Sequence, residues 1–240
     1  MRVLLFTLLI LNPSLSSASI GGELASPWTT KARPWLLGGS AVTLSLVAFK
    51  DEVVDPFQEQ TVRDKPLGEW SKLGDLGGQF IPNALYISGM AITGWAVGGG
   101  PYIGWAKVMA KGSVYAVLTT WVLKYAIHEP RPHENGDNLS FPSGHTTAAF
   151  AFASVVAAEH SFFPYGVSAL ALATLTGYSR INDNKHYLHD VIAGATVGTA
   201  YGLGVSYYLR SQEESLVSQN RWMVVPTLGS TLGLVAQKSF

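Results

Sequence analysis

Charged residues are missing from long parts of this chain, and that pattern constrains its fold more than any other feature. Residues 34–49, 76–106 and 191–209 contain no Asp, Glu, Lys or Arg, and residues 144–179 contain only Glu159. A helix satisfies the backbone polar groups of such a segment internally, whether it is buried in protein or in lipid. Breakers divide the stretches. Gly98-Gly99-Gly100-Pro101 splits the second, Pro130 stops the segment that follows, and Pro164 divides the 144–179 run. The resulting helices are expected over 34–50, 80–98, 102–129, 143–161, 165–181 and 186–210. Most of the links are short, and short links force antiparallel neighbours. The expected fold is therefore all-α, an antiparallel bundle of about six helices. Gly194, Gly198 and Gly202 recur every fourth residue in the last helix, a face that another backbone can approach closely.

The remaining segments read differently. Residues 1–19 have the form of a secretory signal peptide: Arg2, an apolar run from Val3 to Leu11, Pro13, then Ser16-Ser17-Ala18. That run is too short to span roughly 30 Å of hydrocarbon. Residues 51–75, with Pro56, Pro66 and many charges, read as a loop with one short amphipathic helix. After Arg221, Met223-Val224-Val225, a Leu228-Gly229-Ser230 turn and the alternation of Leu232, Leu234 and Ala236 suggest a small β-like hairpin tail. The chain thus divides into a leader (1–19), N-terminal helices with a polar loop (20–100), a helical core (101–210) and a tail (211–240). Formal charge is zero, which leaves no basic footprint for nucleic acid, and the lack of cysteine removes disulfides and thiolate metal sites. Charged residues make up 13% of the chain, about half the usual share. This leaves a membrane bundle or a compact exported bundle.

Chemistry concentrates at one end. If the last four helices alternate in direction, Lys124 and Arg131, Ser143 and His145, Arg180, and His186 and Asp190 all fall at the same end of the bundle. Five of the six histidines (His128, His133, His145, His186 and His189) lie there, and only His160 lies at the other. Titratable groups gathered at one end of an otherwise uncharged bundle mark a candidate active site. Lys124 and Arg131 are two helical turns apart, and together they suit a phosphate dianion. Ser143 can cap the helix that follows, and Gly144 lets backbone N–H groups approach an anion. Arg180 adds a third cation. Asp190, one turn from His186, can hold one ring nitrogen and aim the other. His145 is then free to protonate a leaving oxygen. His186, His189 and Asp190 also offer a competing metal-ligand reading.

Lys124-x6-Arg131-Pro132, Pro142-Ser143-Gly144-His145 and Ser179-Arg180-x5-His186-x3-Asp190 resemble, in order and spacing, the three-part signature of the PAP2 (type 2 phosphatidic acid phosphatase) superfamily. The resemblance covers about residues 101–209. It implies a phosphohistidine intermediate on His186, a general acid at His145, an orienting Asp190, and a phosphate cradle of Lys124, Arg131, Ser143, Gly144 and Arg180. It implies no metal and no other cofactor.

The expected function is hydrolysis of a phosphomonoester or diphosphate carried by a lipid, in a bacterial-type cell envelope. The expected location is in or on the membrane, with the site facing the exterior. The competing readings are an exported acid phosphatase acting on soluble phosphomonoesters, a vanadium-dependent haloperoxidase and a non-catalytic phospholipid-binding bundle.

Overall fold

The computed structural model describes residues 19–133, 137–219, 222–228 and 232–238. It is all-α apart from the C-terminal hairpin. The helices are α1 (Ile20–Thr29), α2 (Arg33–Ala48), α3 (Asp55–Asp64), α4 (Trp70–Gly78), α5 (Ile81–Ala96), α6 (Tyr102–Ile127), α7 (Gly144–Glu159), α8 (Val167–Asn182) and α9 (Leu188–Gln219). Short π-helical segments precede α3 (Lys50–Val54) and α8 (Phe162–Gly166). Strands β1 (Trp222–Leu228) and β2 (Leu232–Lys238) pair antiparallel, with Val225 opposite Val235.

The six expected helices are α2 and α5 to α9, with ends within a few residues of expectation except at the C-terminus of α9. That helix runs nine residues past Arg210, because Gln212, Glu213 and Glu214 are good helix formers even though they end the charge-free stretch. Two features differ from expectation. The 51–75 segment forms two helices, α3 and most of α4. Next to the expected leader, which lies outside the described residues except for Ser19, the chain forms α1. The Ser19 hydroxyl caps α1 by accepting from the Gly22 amide at 3.0 Å.

The core is built largely from small side chains. Met109, Ala149, Ala153, Val155, Ala173 and Val205 form its main cluster, and α9 packs along α7 and α6. The glycine stripe makes this close approach possible. A Cβ at Gly194 would lie 2.5 Å from the Ser143 carbonyl oxygen, and one at Gly202 would lie 2.8 Å from the Ser154 Cβ. Asn83 of α5 is fully buried and donates to Ser113 Oγ at 2.7 Å and to the Ala148 carbonyl at 3.3 Å, joining α5, α6 and α7.

Large apolar side chains also face outward, among them Trp35, Leu44, Leu85, Trp95, Trp121 and Val122. Among the described residues, no helix is long and apolar enough by itself to cross a membrane.

Candidate active site

Helix ends bring the expected residues together. α6 ends at Ile127, and the next residue, His128, takes the left-handed conformation (φ 54°) ahead of Pro130 and Pro132. The chain then returns to start α7 at Gly144. α8 ends at Asn182, and a turn through Asn184 (φ 56°) leads to His186 and α9. The Ser143 amide donates to the Asp190 carbonyl at 3.0 Å, and the His186 amide donates to the Arg180 carbonyl at 3.2 Å. These two bonds fasten the starts of α7 and α9 and the end of α8 to one another.

His186 is 3% exposed. Its Nε2 lies 3.2 Å from an Arg131 guanidinium nitrogen, and its Nδ1 lies 3.3 Å from Ser140 Oγ. Because Arg131 can only donate, Nε2 is the lone-pair nitrogen and Nδ1 carries the hydrogen, a tautomer assigned from the bonding pattern. Asp190 Oδ2 is 3.6 Å from Nδ1, too long for a hydrogen bond. The Ser140 hydroxyl fills the gap, donating to Asp190 Oδ2 at 2.6 Å. The same oxygen accepts from the Tyr187 amide at 2.8 Å, so Asp190 also caps α9. Asp190 is therefore linked to His186 largely through Ser140.

Burial pushes the His186 imidazole down to about 4, with Lys124 and Arg131 adding to the effect against the opposing pull of Asp190. For Asp190, burial disfavours the charge, but His186, His189 and the Ser140 hydroxyl outweigh it and hold the carboxyl below its ordinary value.

The cations surround this ring. Lys124 is buried, and its Nζ donates to the Leu139 and Ser140 carbonyls. Burial lowers it to about 8, with Arg131 second. Arg131 also donates to Asp137 at 2.8 Å and to the Lys185 carbonyl at 3.1 Å. Ser143 is fully buried at the N-cap of α7, yet its side chain makes no capping bond. It accepts instead from Thr146 Oγ1 at 2.9 Å. Gly144 keeps the space before α7 open, since a Cβ there would meet only Lys124 Cε, at 4.0 Å.

Arg180 is 5% exposed. It donates to Asp75 at 2.5 Å and lies 3.5 Å from Asp183. His145 is half-exposed, with its Nε2 at 3.5 Å from the same Asp75 oxygen. Burial, then Arg180, lowers His145 below the usual histidine value of 6.5, and Asp75 opposes the shift.

All eight residues expected from the sequence meet here. Two neighbours were not foreseen. Ser140 lies in the loop before the Pro142 motif, and Asp75 lies on α4. The only sequence signal for Asp75 is its place beside Gly74, Gly77 and Gly78, which hints at a helix pressed against another. Behind Asp190, the His189 ring is buried and stacked on Tyr187, with Nε2 at 2.8 Å from Glu129. Ligating atoms of Glu129, His189 and Asp190 lie within 4.8 Å of one another. The 2.8 Å contact between His189 and Glu129 has the length of a hydrogen bond. His128 and His133 make no bond to the cradle among the contacts described, and His160 lies at the far end, 2.6 Å from the Tyr86 hydroxyl.

Clefts formed by the described residues flank the bundle. One, of about 560 Å³, lies beside the site and is lined by Asp55, Gln58, Glu59, Pro132, Asn184 and Tyr187 among others. Another, about 430 Å³, is at the opposite end near Lys107, Lys111 and Arg210, and touches none of the site residues.

Comparisons with known proteins fit this arrangement. A lipid A 1-phosphatase of Porphyromonas gingivalis is 37% identical over 103 residues, which is 41% of this chain and 23% of the relative. The chain thus spans less than a quarter of the length of the curated relative it matches. A transmembrane PAP2-type phosphatidylglycerolphosphate phosphatase from Bacillus subtilis superposes with a TM-score of 0.52 at 21% identity, covering 75% of this chain and 96% of that one, a likeness of fold. The Aquifex aeolicus LpxE structure gives a TM-score of 0.36 at 23% identity, over 58% of this chain and 93% of that one. Residues 105–214, which hold every residue of the eight-membered site, match the PAP2 superfamily model.

Proposed function

We propose that the protein is a phosphatase acting on a lipid phosphate, through a covalent intermediate on His186 and without a metal. One observation carries the reading: a buried, neutral imidazole presents its lone-pair nitrogen to Arg131, in a cradle completed by Lys124 and Arg180 and the start of α7.

The chemistry follows from that arrangement. The phosphate dianion is held by Lys124, Arg131, Arg180, the Ser143 hydroxyl and the Gly144 amide. Arg131 turns from Nε2 to a phosphoryl oxygen, which frees the lone pair. Nε2 attacks phosphorus in line, the bond to the leaving oxygen breaks, and His145 gives that oxygen a proton. The Nδ1 hydrogen stays on the ring, and the Ser140–Asp190 pair stabilises the charge the ring acquires. A water molecule then attacks from the vacated side, His145 takes its proton, and the P–N bond breaks to release phosphate.

Support for a lipid substrate comes from two sources. The similar proteins are named as phosphatases of lipid A and of phosphatidylglycerolphosphate. The outward apolar side chains also form a surface suited to lipid contact. Membrane association in a cell envelope is part of this proposal, with the site at the water interface.

The test is phosphate release from phosphatidate and phosphatidylglycerolphosphate in mixed micelles, compared with a soluble phosphomonoester, in the presence of EDTA. The expected result is metal-independent turnover, preferential for the lipids, that His186→Ala abolishes. Preference for the soluble ester would point to a non-specific phosphatase. Loss of activity in EDTA with recovery on adding Mg²⁺ or Zn²⁺ would contradict the mechanism.

A further inference from the structure

We propose that Asp75 is a positioning residue for the acid–base histidine. Its carboxylate binds Arg180 and His145 together on the leaving-group side of the cradle, so that His145 holds the proton it must deliver. This rests on the reading of His145 as the leaving-group acid.

The geometry supports it from three directions. First, one carboxylate oxygen, Asp75 Oδ1, makes both contacts, at 2.5 Å to Arg180 and 3.5 Å to His145 Nε2. Second, α4 lies outside the stretch matched to the family but is built to reach this place. A Cβ at Gly74 would lie 2.6 Å from Ser179 Cβ, one at Gly77 would lie 2.8 Å from Thr176 Oγ1, and one at Gly78 would lie 2.5 Å from His145 Cβ. Three glycines on a nine-residue helix thus let its backbone press against α8 and against His145 itself. Third, side chains fasten this layer over the end of α8. Ser71 donates to Asp183 at 2.5 Å, the Leu67 amide donates to Asn182 at 3.2 Å, and Gln58 donates to Asn184 at 2.8 Å.

Charge explains why such a carboxylate is needed. The groups acting on His145 are Arg180 from α8, Lys124 from α6, Arg131 from the loop after α6, and Asp75 from α4. Asp190 of α9 is turned toward Ser140 and the Tyr187 amide. A cradle that binds phosphate with three cations makes its own general acid hard to protonate before substrate arrives. Asp75 offsets this in the free protein.

The test measures kcat/KM against pH for a short alkyl phosphate and for p-nitrophenyl phosphate. It compares the wild type, Asp75→Asn, Asp75→Glu, His145→Ala and the Asp75→Asn/His145→Ala double variant. Melting temperatures serve as a check on folding. For Asp75→Asn, the basic limb should move to lower pH and kcat/KM on the alkyl phosphate should fall about tenfold at its optimum, with a much smaller loss on the nitrophenyl ester. Asp75→Glu should recover part of the loss, and Asp75→Asn should add nothing in the His145→Ala background. An unmoved basic limb, an equal loss on both substrates, or a rise in kcat/KM would overturn the proposal; a rise would mean that the carboxylate blocks the cradle. If His145→Ala itself leaves the alkyl phosphate rate intact, the parent reading of His145 fails. If His145→Ala is damaged and Asp75→Asn is silent, only the role of Asp75 fails.

Discussion

His186 and His145 must be in opposite protonation states for the proposed reaction, and their surroundings fix the pH range in which both conditions hold. His186 must be neutral to attack, so activity falls as pH drops through its value of about 4. His145 must carry a proton, so activity falls as pH rises through its own value, which lies below 6.5. The expected kcat/KM profile is a bell on the acid side of neutrality. With a fast-leaving ester, His145→Ala should remove the basic limb. With an alkyl leaving group, the same variant should lose about 10²–10⁴-fold in kcat/KM. A profile centred above neutrality, or a basic limb that persists without His145, would contradict these assignments. Ser140 allows a finer test. It bridges Asp190 and His186 at 2.6 and 3.3 Å, and Ser140→Ala should lower kcat by about 3–10-fold, the worth of one such bond, on good and poor leaving groups alike. A loss confined to poor leaving groups would tie Ser140 to His145 instead.

Helix α9 carries both the glycine stripe and the His186–Asp190 pair at its start, so packing and chemistry are linked within one element. Gly194→Val places a Cβ 2.5 Å from the Ser143 carbonyl oxygen, where backbone must move. It should cost about 1–3 kcal/mol of stability and also disturb the Ser143–Asp190 contact. Gly89→Ala on the exposed face of α5 meets nothing within 4 Å, and should leave the melting temperature unchanged or slightly raised. Equal effects of the two substitutions would show that the stripe is not a packing face. The same stripe shows what could be read in the sequence. Charge-free stretches and breakers locate six helices because each signal is local. Lys124, Arg131, His145, Arg180 and His186 are legible because each stands within a few residues of a helix end. Asp75 and Ser140 are not, since they reach the site only through folding of distant segments. α3 and α4 escape for a related reason. A criterion based on missing charge cannot find helices that expose one charged face, and Asp55–Asp64 carries four charged residues within ten.

At the scale of the whole molecule, large apolar side chains stand exposed on several helices, among them Trp35, Leu44, Leu85, Trp95 and Trp121. The site occupies one end of the bundle, and Lys107, Lys111 and Arg210 lie together at the other. The protein should therefore co-float with phospholipid vesicles, and brominated acyl chains should quench its tryptophan emission. Replacing exposed Trp95 and Trp121 by Ser should reduce that quenching without changing turnover of a soluble ester. Vesicles that float free of protein would remove the lipid-facing role of these side chains. The central claim is the covalent step on His186. Rapid quenching of the protein during turnover of a ³²P-labelled substrate, followed by alkaline digestion conditions and mass spectrometry, reads it most directly. The account predicts a base-stable, acid-labile phosphoryl group on His186, absent from His186→Ala. Label on another residue, or turnover by His186→Ala at a wild-type rate, would contradict it.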